Sequence, residues 1–363
     1  MASQAAPLES TPKISLLVPI YNVERYLRQC LESARSQTLD DIEVICINDG
    51  STDGSRDIIE EFLTDPRFRV IDKENSGYGA SMNQGLDACK GEYVGILESD
   101  DFLAEDALEK LYNLAKADDA DVVKSDFYLY WSVPEEYEER FGWVTSKKTG
   151  LIDPRVFTDV FYLKPSIWSA LYKRAFLKAN DIRFLETPGA SYQDAGFNFK
   201  VWVNAKRVVL VDEAFLRYRQ DNETSSVNSP GKVYCVCDEY DEMIRYLDEG
   251  GFDRAAIDPI LVKMRYDSYI WNYERLSPEL RMKFSQRMSE DFRREDEAGL
   301  TDYALFESWK EADRRMIVRD PRLYHLRRMS EKGGGKLATL RRCYQTGGMP
   351  LVFKVVREKM SNR

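Results

Sequence analysis

The feature that most constrains this chain is the apolar run at residues 13–21, Lys-Ile-Ser-Leu-Leu-Val-Pro-Ile-Tyr. A strand with one wet face alternates apolar and polar residues, whereas this one is apolar at nearly every position and demands cover on both faces, as parallel strands do. Such cover comes from helices, and Val23, Tyr26, Leu27, Cys30 and Leu31 place one apolar face on residues 22–37. Pro19 is predicted to end the strand, because proline lacks the N–H a central strand needs. Further strands are predicted at residues 41–47, 68–72 and 93–97, with a helix at 56–63 and a loop running into a helix at 77–90 between them. This alternation reads as βαβ units building a mostly parallel α/β sheet.

The fourth strand ends in acids. After Gly95-Ile96-Leu97 come Glu98, Ser99, Asp100 and Asp101, and ligands of open α/β sheets bind beyond the carboxyl ends of the strands. Three acids within four residues repel one another unless a cation sits among them, and oxygen ligands suit Mg²⁺ or Mn²⁺. Such an ion could in turn hold a diphosphate. The plainer alternative is a helix start, with Ser or Asp capping a helix at 104–117; both readings stay open on this segment alone.

Downstream, a strand is predicted at 121–130, and residues 131–154 read as a flexible loop over the site, polar and aromatic without a period. A second set comprises 168–173, 182–184, a helix at 195–205 and a strand at 208–211. From residue 232 onward the pattern is helical, broken at Gly333-Gly-Gly335. The expected organisation is a disordered lead-in at 1–12, a catalytic domain at 13–230 and a mainly α-helical extension at 231–363 carrying a basic tail.

Composition excludes several classes. At 363 residues with 43% hydrophobic and 31% charged, the chain can bury a large core, and no run of about 18 apolar residues marks a membrane span. The segment MASQAAPLESTPK lacks a basic and an apolar signal region, so a cytoplasmic location is expected. Six cysteines without CxxC spacing read as reduced thiols, and one histidine, His325, excludes His-rich metal sites. Net charge is −10, yet from Arg314 onward fourteen Lys and Arg face three acids. An acidic body does not suit a nucleic-acid binder; a basic tail suits either an anionic inner membrane leaflet or this protein's own acidic body.

The order VPIYN, NDGSTDGS, ENSGYGASMNQG and ESDD resembles the family 2 glycosyltransferases, bacterial enzymes with a nucleotide-diphospho-sugar transferase (GT-A) Rossmann-like fold. The likeness covers roughly residues 13–130 and continues more weakly to about 228 through WSALYKR, SYQDAGFNFK and YRQDNETSS. It implies an inverting, metal-dependent transfer of sugar from a nucleotide-diphospho-sugar, a UDP-sugar being expected, to a carbohydrate or lipid-linked acceptor in cell-surface polysaccharide or glycoconjugate synthesis. Pro19, Tyr21, Asn22 and Asp49 would hold the base, and Asn75, Gly77 and Asn83 the ribose and phosphates. Asp101 would bind the metal, with Asp100 toward the ribose or sharing that role. The family's arginine before the asparagine is here Met82, so the compensating cation is sought at Lys90, Lys124 or Arg219, with Arg219 expected at the diphosphate. Asp194, the second acid of a Glu-Asp pair written here Gln193-Asp194, would be the catalytic base; as a residue alone it also reads as a helix cap. Trp168 and Gln193 are candidate sugar or acceptor contacts, although an aromatic at such spacing also reads as core. Rival readings are a sugar nucleotidyltransferase of similar fold, whose Gly-rich basic signature VPIYN lacks, and a non-catalytic nucleotide-sugar-binding protein.

Overall fold

The computed structural model describes residues 11–142, 148–222, 232–330 and 336–361. The expected disordered lead-in and the Gly333–Gly335 break lie, wholly or nearly so, outside the described residues. The chain divides into two units, Met1–Val227 and Asn228–Arg363.

The first unit is a mixed α/β layer structure built on one sheet. Its parallel half contains β1 (Ile14–Ile20), β2 (Ile42–Asn48), β3 (Phe68–Asp72) and β4 (Tyr93–Ile96), with β1 central between β2 and β4. All seven residues of β1 and of β2 are buried, as their continuous apolar runs require. The helices α1 (Glu24–Arg35), α2 (Ser55–Phe62) and α3 (Tyr78–Ala88) follow β1, β2 and β3 in turn.

Pro19 lies within β1 rather than ending it, paired with Ile47 of β2. The reason is local. The Leu17 carbonyl accepts from Leu97 on the β4 side and the Ile20 carbonyl from Asp49 on the β2 side, so by alternation the missing Pro19 N–H faces the β4 side, where pairing has already ended at Leu17.

Beyond the acids come β5 (Phe102–Leu103) and α4 (Ala107–Ala117), so the helix starts later than predicted and no side chain caps it. The strand β6 (Val122–Trp131) carries β7 (Tyr137–Phe141) as an antiparallel partner, and β8 (Gly150–Ile152) joins the same sheet. The stretch expected to be a flexible loop thus supplies two strands, while its residues 143–147 lie outside the described set. Four of the five β7 residues are exposed, which removed the apolar alternation that marks a strand; cross-strand rings such as Phe127–Phe141, 4.7 Å apart, hold it instead. Then β9 (Ala170–Lys173) runs antiparallel between β4 and β6. After α5 (Arg174–Ala179) and α6 (Gln193–Asn204) comes β10 (Val208–Arg219). That strand is three times the predicted length, because register shifts against β6 at Val211/Ala214 and Ala214/Arg217 carry it past its polar middle.

The segment 182–184 is neither strand nor helix. Residues 184–189 instead lie against α3. Asn83 donates to the Phe184 carbonyl at 2.9 Å and accepts from the Phe184 N–H at 2.9 Å. A Cβ on Gly79 would stand 2.1 Å from the Leu185 carbonyl oxygen, and one on Gly77, where φ is +91°, 2.8 Å from Gly189 N and Thr187 O.

The second unit is helical: α7 (Cys235–Gly250), α8 (Arg254–Arg275), α9 (Pro278–Glu297), α10 (Ser308–Arg319), α11 (Pro321–Ser330) and α12 (Lys336–Ser361), the last broken at Gly348. Its core packs the rings of Tyr266, Tyr269, Phe284 and Phe292 on one another, and the fully buried Arg314 lies over Phe292 and is bonded to Glu295, Asp296, Thr301 and Tyr303. Among the described residues no helix is long and apolar enough to cross a membrane, and the six cysteines are free.

Gly79→Ala tests the α3 contact. Helix propensity alone would stabilise α3 by about 1 kcal/mol; the Leu185 carbonyl in the way is expected to reverse the sign and cost about 1–3 kcal/mol. Denaturant unfolding of the variant reads the sign directly.

Candidate active site

The site collects at the carboxyl ends of β1, β2 and β4. Tyr21 follows β1 and is 52% exposed, free to stack on a planar ligand. Asn22 turns the chain with φ +50° and accepts from the Thr52 N–H at 2.8 Å. Asn75 is exposed on the loop after β3.

Asp49, by contrast, is committed to the protein. Its carboxylate accepts from the N–H groups of Ser76 at 2.9 Å and Gly77 at 3.0 Å and from the Lys73 ammonium. It therefore closes the loop that starts α3. Gly77 is needed by this protein's own backbone, which approaches it as a ligand was expected to, and Asn83 spends both ends of its amide on Phe184 and on Glu186.

The acidic cluster is divided by burial. Asp101 is 1% exposed; one oxygen accepts from the Arg219 N–H at 2.8 Å and the other, Oδ2, is buried without a partner among the described residues. Burial first and Asp100 second push its carboxyl well above the usual range. Asp100 is more open and accepts from the Asn222 amide at 2.8 Å. Glu98 accepts from the Tyr78 hydroxyl at 2.6 Å, and burial of its carboxyl, joined by repulsion from Asp100 and Asp194, pushes it up to about 8. None of these acids caps a helix. The orphaned Asp101 oxygen beside Asp100 fits a divalent cation held by these two carboxylates. Among the described residues no third acid, His or Cys completes a cluster, which leaves the remaining positions to water and ligand oxygens.

Asp194 stands in the first turn of α6, behind Tyr192, whose φ of +59° turns the chain into the helix. Among the described residues the carboxyl accepts only the adjacent Ala195 N–H at 2.8 Å and is pushed up to about 6 by burial, against the opposing pull of that N–H and of Lys164. Gln193 beside it is 2% exposed, bonded to Thr187 and Gly189 and accepting from Ser191; it shapes the loop rather than facing an acceptor. Trp168 is also a core residue, stacked on Tyr218 at 4.8 Å and edge-on to Phe127 at 4.6 Å.

The cations expected at the diphosphate are engaged elsewhere. Arg219 donates to the Asp100 carbonyl, Ser132 and Gln29 and lies over the Tyr26 ring. Lys124 donates to Ser166 and Ser169 in full burial. Lys90 precedes β4, at the opposite end of the strand from the acids, and Met82 is core. Sequence reasoning missed Lys164, which lies in the same electrostatic field as Asp194 and Asp101; Lys164-Pro165 carries no motif that would have drawn attention to it. A cavity of about 330 Å³ lined by Lys13, Glu92, Tyr112 and Arg174 lies at the amino ends of β1 and β4 and contains none of these groups.

A GT-A-type sheet with a carboxylate pair and a raised acid at its carboxyl edge defines the class of nucleotide-diphospho-sugar transferase folds. The family model for glycosyl transferase family 2 matches residues 15–197, and the chain belongs to that family. It is 35% identical over 222 residues to the putative glycosyltransferase EpsH of Bacillus subtilis, covering 58% of this chain and 61% of that one. It is 30% identical over 220 residues to the glycosyltransferase GlyG of Streptococcus pneumoniae, covering 57% of this chain and 70% of that one. The chain thus spans less than two thirds of EpsH. Staphylococcus aureus TarS, residues 1–349 in complex with UDP-GlcNAc, superposes with a TM-score of 0.71 at 21% identity over 86% of this chain and 89% of that one, a likeness of fold.

The burial contrast separates the two aspartates. Asp101→Ala leaves the Arg219 N–H buried and unpaired, an expected loss of about 1–3 kcal/mol of stability, whereas Asp100→Ala is expected to unfold within about 0.5 kcal/mol of the parent. Paired thermal and urea unfolding curves check this, and equal curves would show that the Arg219 N–H finds another acceptor.

Proposed function

We propose that this protein is an inverting, metal-dependent glycosyltransferase that moves a sugar from a UDP-sugar to an acceptor hydroxyl in bacterial cell-surface polysaccharide or glycoconjugate synthesis. The observation that carries the reading is Asp194, a half-buried carboxylate whose only partner among the described residues is the adjacent Ala195 N–H, and which acts with Asp100 on the same Glu98 carboxyl. Family membership supports the reaction class, and the complex of TarS with UDP-GlcNAc supports a uridine diphosphate donor.

The chemistry follows from these residues. Asp194 takes the proton of the acceptor hydroxyl as that oxygen attacks the anomeric carbon from the face opposite the diphosphate. The bond from that carbon to the diphosphate oxygen breaks, its electron pair leaves with the diphosphate, and configuration inverts. Asp100 and Asp101 would hold a Mn²⁺ or Mg²⁺ ion, which when bound supplies positive charge to the leaving diphosphate. Tyr21 offers its exposed ring to the base. Burial favours a base poised near the working pH: at about 6 Asp194 is ionised in a neutral medium yet more basic than an open aspartate.

Two measurements bear on this. UDP release from a panel of UDP-sugars with Mn²⁺ is expected to identify a donor, and Asp194→Asn is expected to slow transfer by about 10²–10⁴ while donor binding stays near normal. The sign of the pH effect is also set: the base works ionised, so kcat/KM is expected to fall as pH drops through about 6. A profile flat to pH 5 would place the base elsewhere.

The acceptor side is part of the same proposal: a carbohydrate or lipid-linked acceptor reached at the cytoplasmic face of the membrane through the basic tail. Phe353, 66% exposed, and the exposed Lys354 and Arg357 offer apolar and cationic contacts on α12. Yet Cys343 and Val355 on the same helix are buried and α12 packs on α10, so deleting the tail would open the unit. Charge reversal at Lys354 and Arg357 is the cleaner test. It is expected to weaken co-sedimentation with anionic vesicles about tenfold or more, at about 1 kcal/mol per basic residue, with neutral vesicles unaffected. Equal binding by both forms sends the acceptor search into solution.

A further inference from the structure

The donor reading above leaves one charge problem. Glu98, Asp100, Asp101 and Asp194 surround the place where a diphosphate, itself anionic, would lie. Protein cations near these ends of the sheet are mostly spent: Arg219 on three oxygen acceptors, Lys73 on Asp49, Glu74 and Ser76, Lys124 on two serines. Lys164 differs. Among the described residues its ammonium has no carboxylate, carbonyl or hydroxyl partner, and it lies over an aromatic wall, 4.3 Å from the Tyr218 ring centre, 5.5 Å from that of Phe127 and 5.8 Å from that of Phe141.

Rings attract an ammonium through their faces but leave its N–H donors bonding capacity elsewhere. The residue is half-buried, and Tyr218, over whose ring the ammonium lies, immediately precedes Arg219, whose N–H binds Asp101 at 2.8 Å. Its backbone is held in a turn by the Ser166 N–H, which donates to the Lys164 carbonyl at 2.7 Å. Burial pulls the ammonium toward its neutral form, and Asp194 and Asp101 both oppose that. Through the Tyr218 ring the ammonium is tied to the strand end whose next residue, Arg219, holds Asp101, which is the end where a diphosphate would lie.

We propose that the Lys164 ammonium binds the sugar-proximal phosphate of the nucleotide-diphosphate donor, the phosphate whose oxygen leaves the anomeric carbon. Negative charge grows on that oxygen as the bond breaks, so a preplaced cation in a partly desolvated wall stabilises it there more than water would. The rings of Phe127, Phe141 and Tyr218 thereby acquire a purpose beyond packing: they hold the ammonium without consuming its donors.

The test is calorimetry on the full chain with Mn²⁺, titrating UDP and, separately, UMP, which lacks the phosphate in question. Lys164→Met keeps the stem on the rings and removes the charge; it is expected to weaken UDP about ten- to a hundredfold, as for a lost charge-assisted bond, and to leave UMP within about twofold. Lys164→Arg is expected to retain most UDP affinity. Lys164→Gln gives the same comparison if the methionine variant does not fold. Unchanged UDP binding, or equal loss for UDP and UMP, overturns the assignment while the donor reading stands. A wild-type protein that binds neither nucleotide overturns the donor reading and the assignment with it.

Discussion

The site depends on the seating of residues 184–189 against the first turns of α3. Gly77 and Gly79 let two backbones meet at distances no side chain would permit, and Asn83 bonds Phe184 in both directions. On its other side the start of α3 is tied by Asp49 to the end of β2. A continuous set of contacts therefore runs from the sheet edge through α3 to the loop that enters α6, and Asp194 takes its position from it. Residues about a hundred apart in sequence are held in one geometry by backbone approach and amide bonds, which are directional and short-ranged.

That seating changes the meaning of a motif. ENSGYGASMNQG looks like a nucleotide cradle, because small residues and an asparagine at a helix start suit phosphate. In the folded chain the same small residues receive the protein's own backbone, and the helix start is given to Asp49. The open groups at the ligand edge are Tyr21, Asn75, Asp100, Asp194 and Lys164, fewer than the motifs promise. Nearly every other polar side chain there has an internal partner, as buried polar groups must.

Burial decides the electrostatics. Glu98, Asp101 and Asp194 all have raised carboxyls with burial as the largest cause, outweighing the hydrogen bonds each accepts. Removing a carboxylate from water costs more than one or two N–H or O–H donors return. Such a crevice is poised for cations. At this edge, among the described residues, an Asp101 oxygen and the Lys164 ammonium are charged groups left without a hydrogen-bond partner.

By itself the sequence determined the fold class, the parallel character of the first half and the family, since a doubly covered apolar strand followed by helical spacing has few solutions and the ordered motifs mark the strand ends. It also marked Asp194 and the acid pair by residue type and position. What only the tertiary structure decided is which side chains remain free. Whether Arg219 faces ligand or Gln29, whether Trp168 offers a face or packs on Tyr218, and whether Asp101 or Asp100 is the open carboxylate depend on partners distant in sequence. The length of β10 and the strand status of β7 were hidden for the same reason: their patterns follow neighbours across the sheet, and pairing across a sheet leaves little trace in local periodicity.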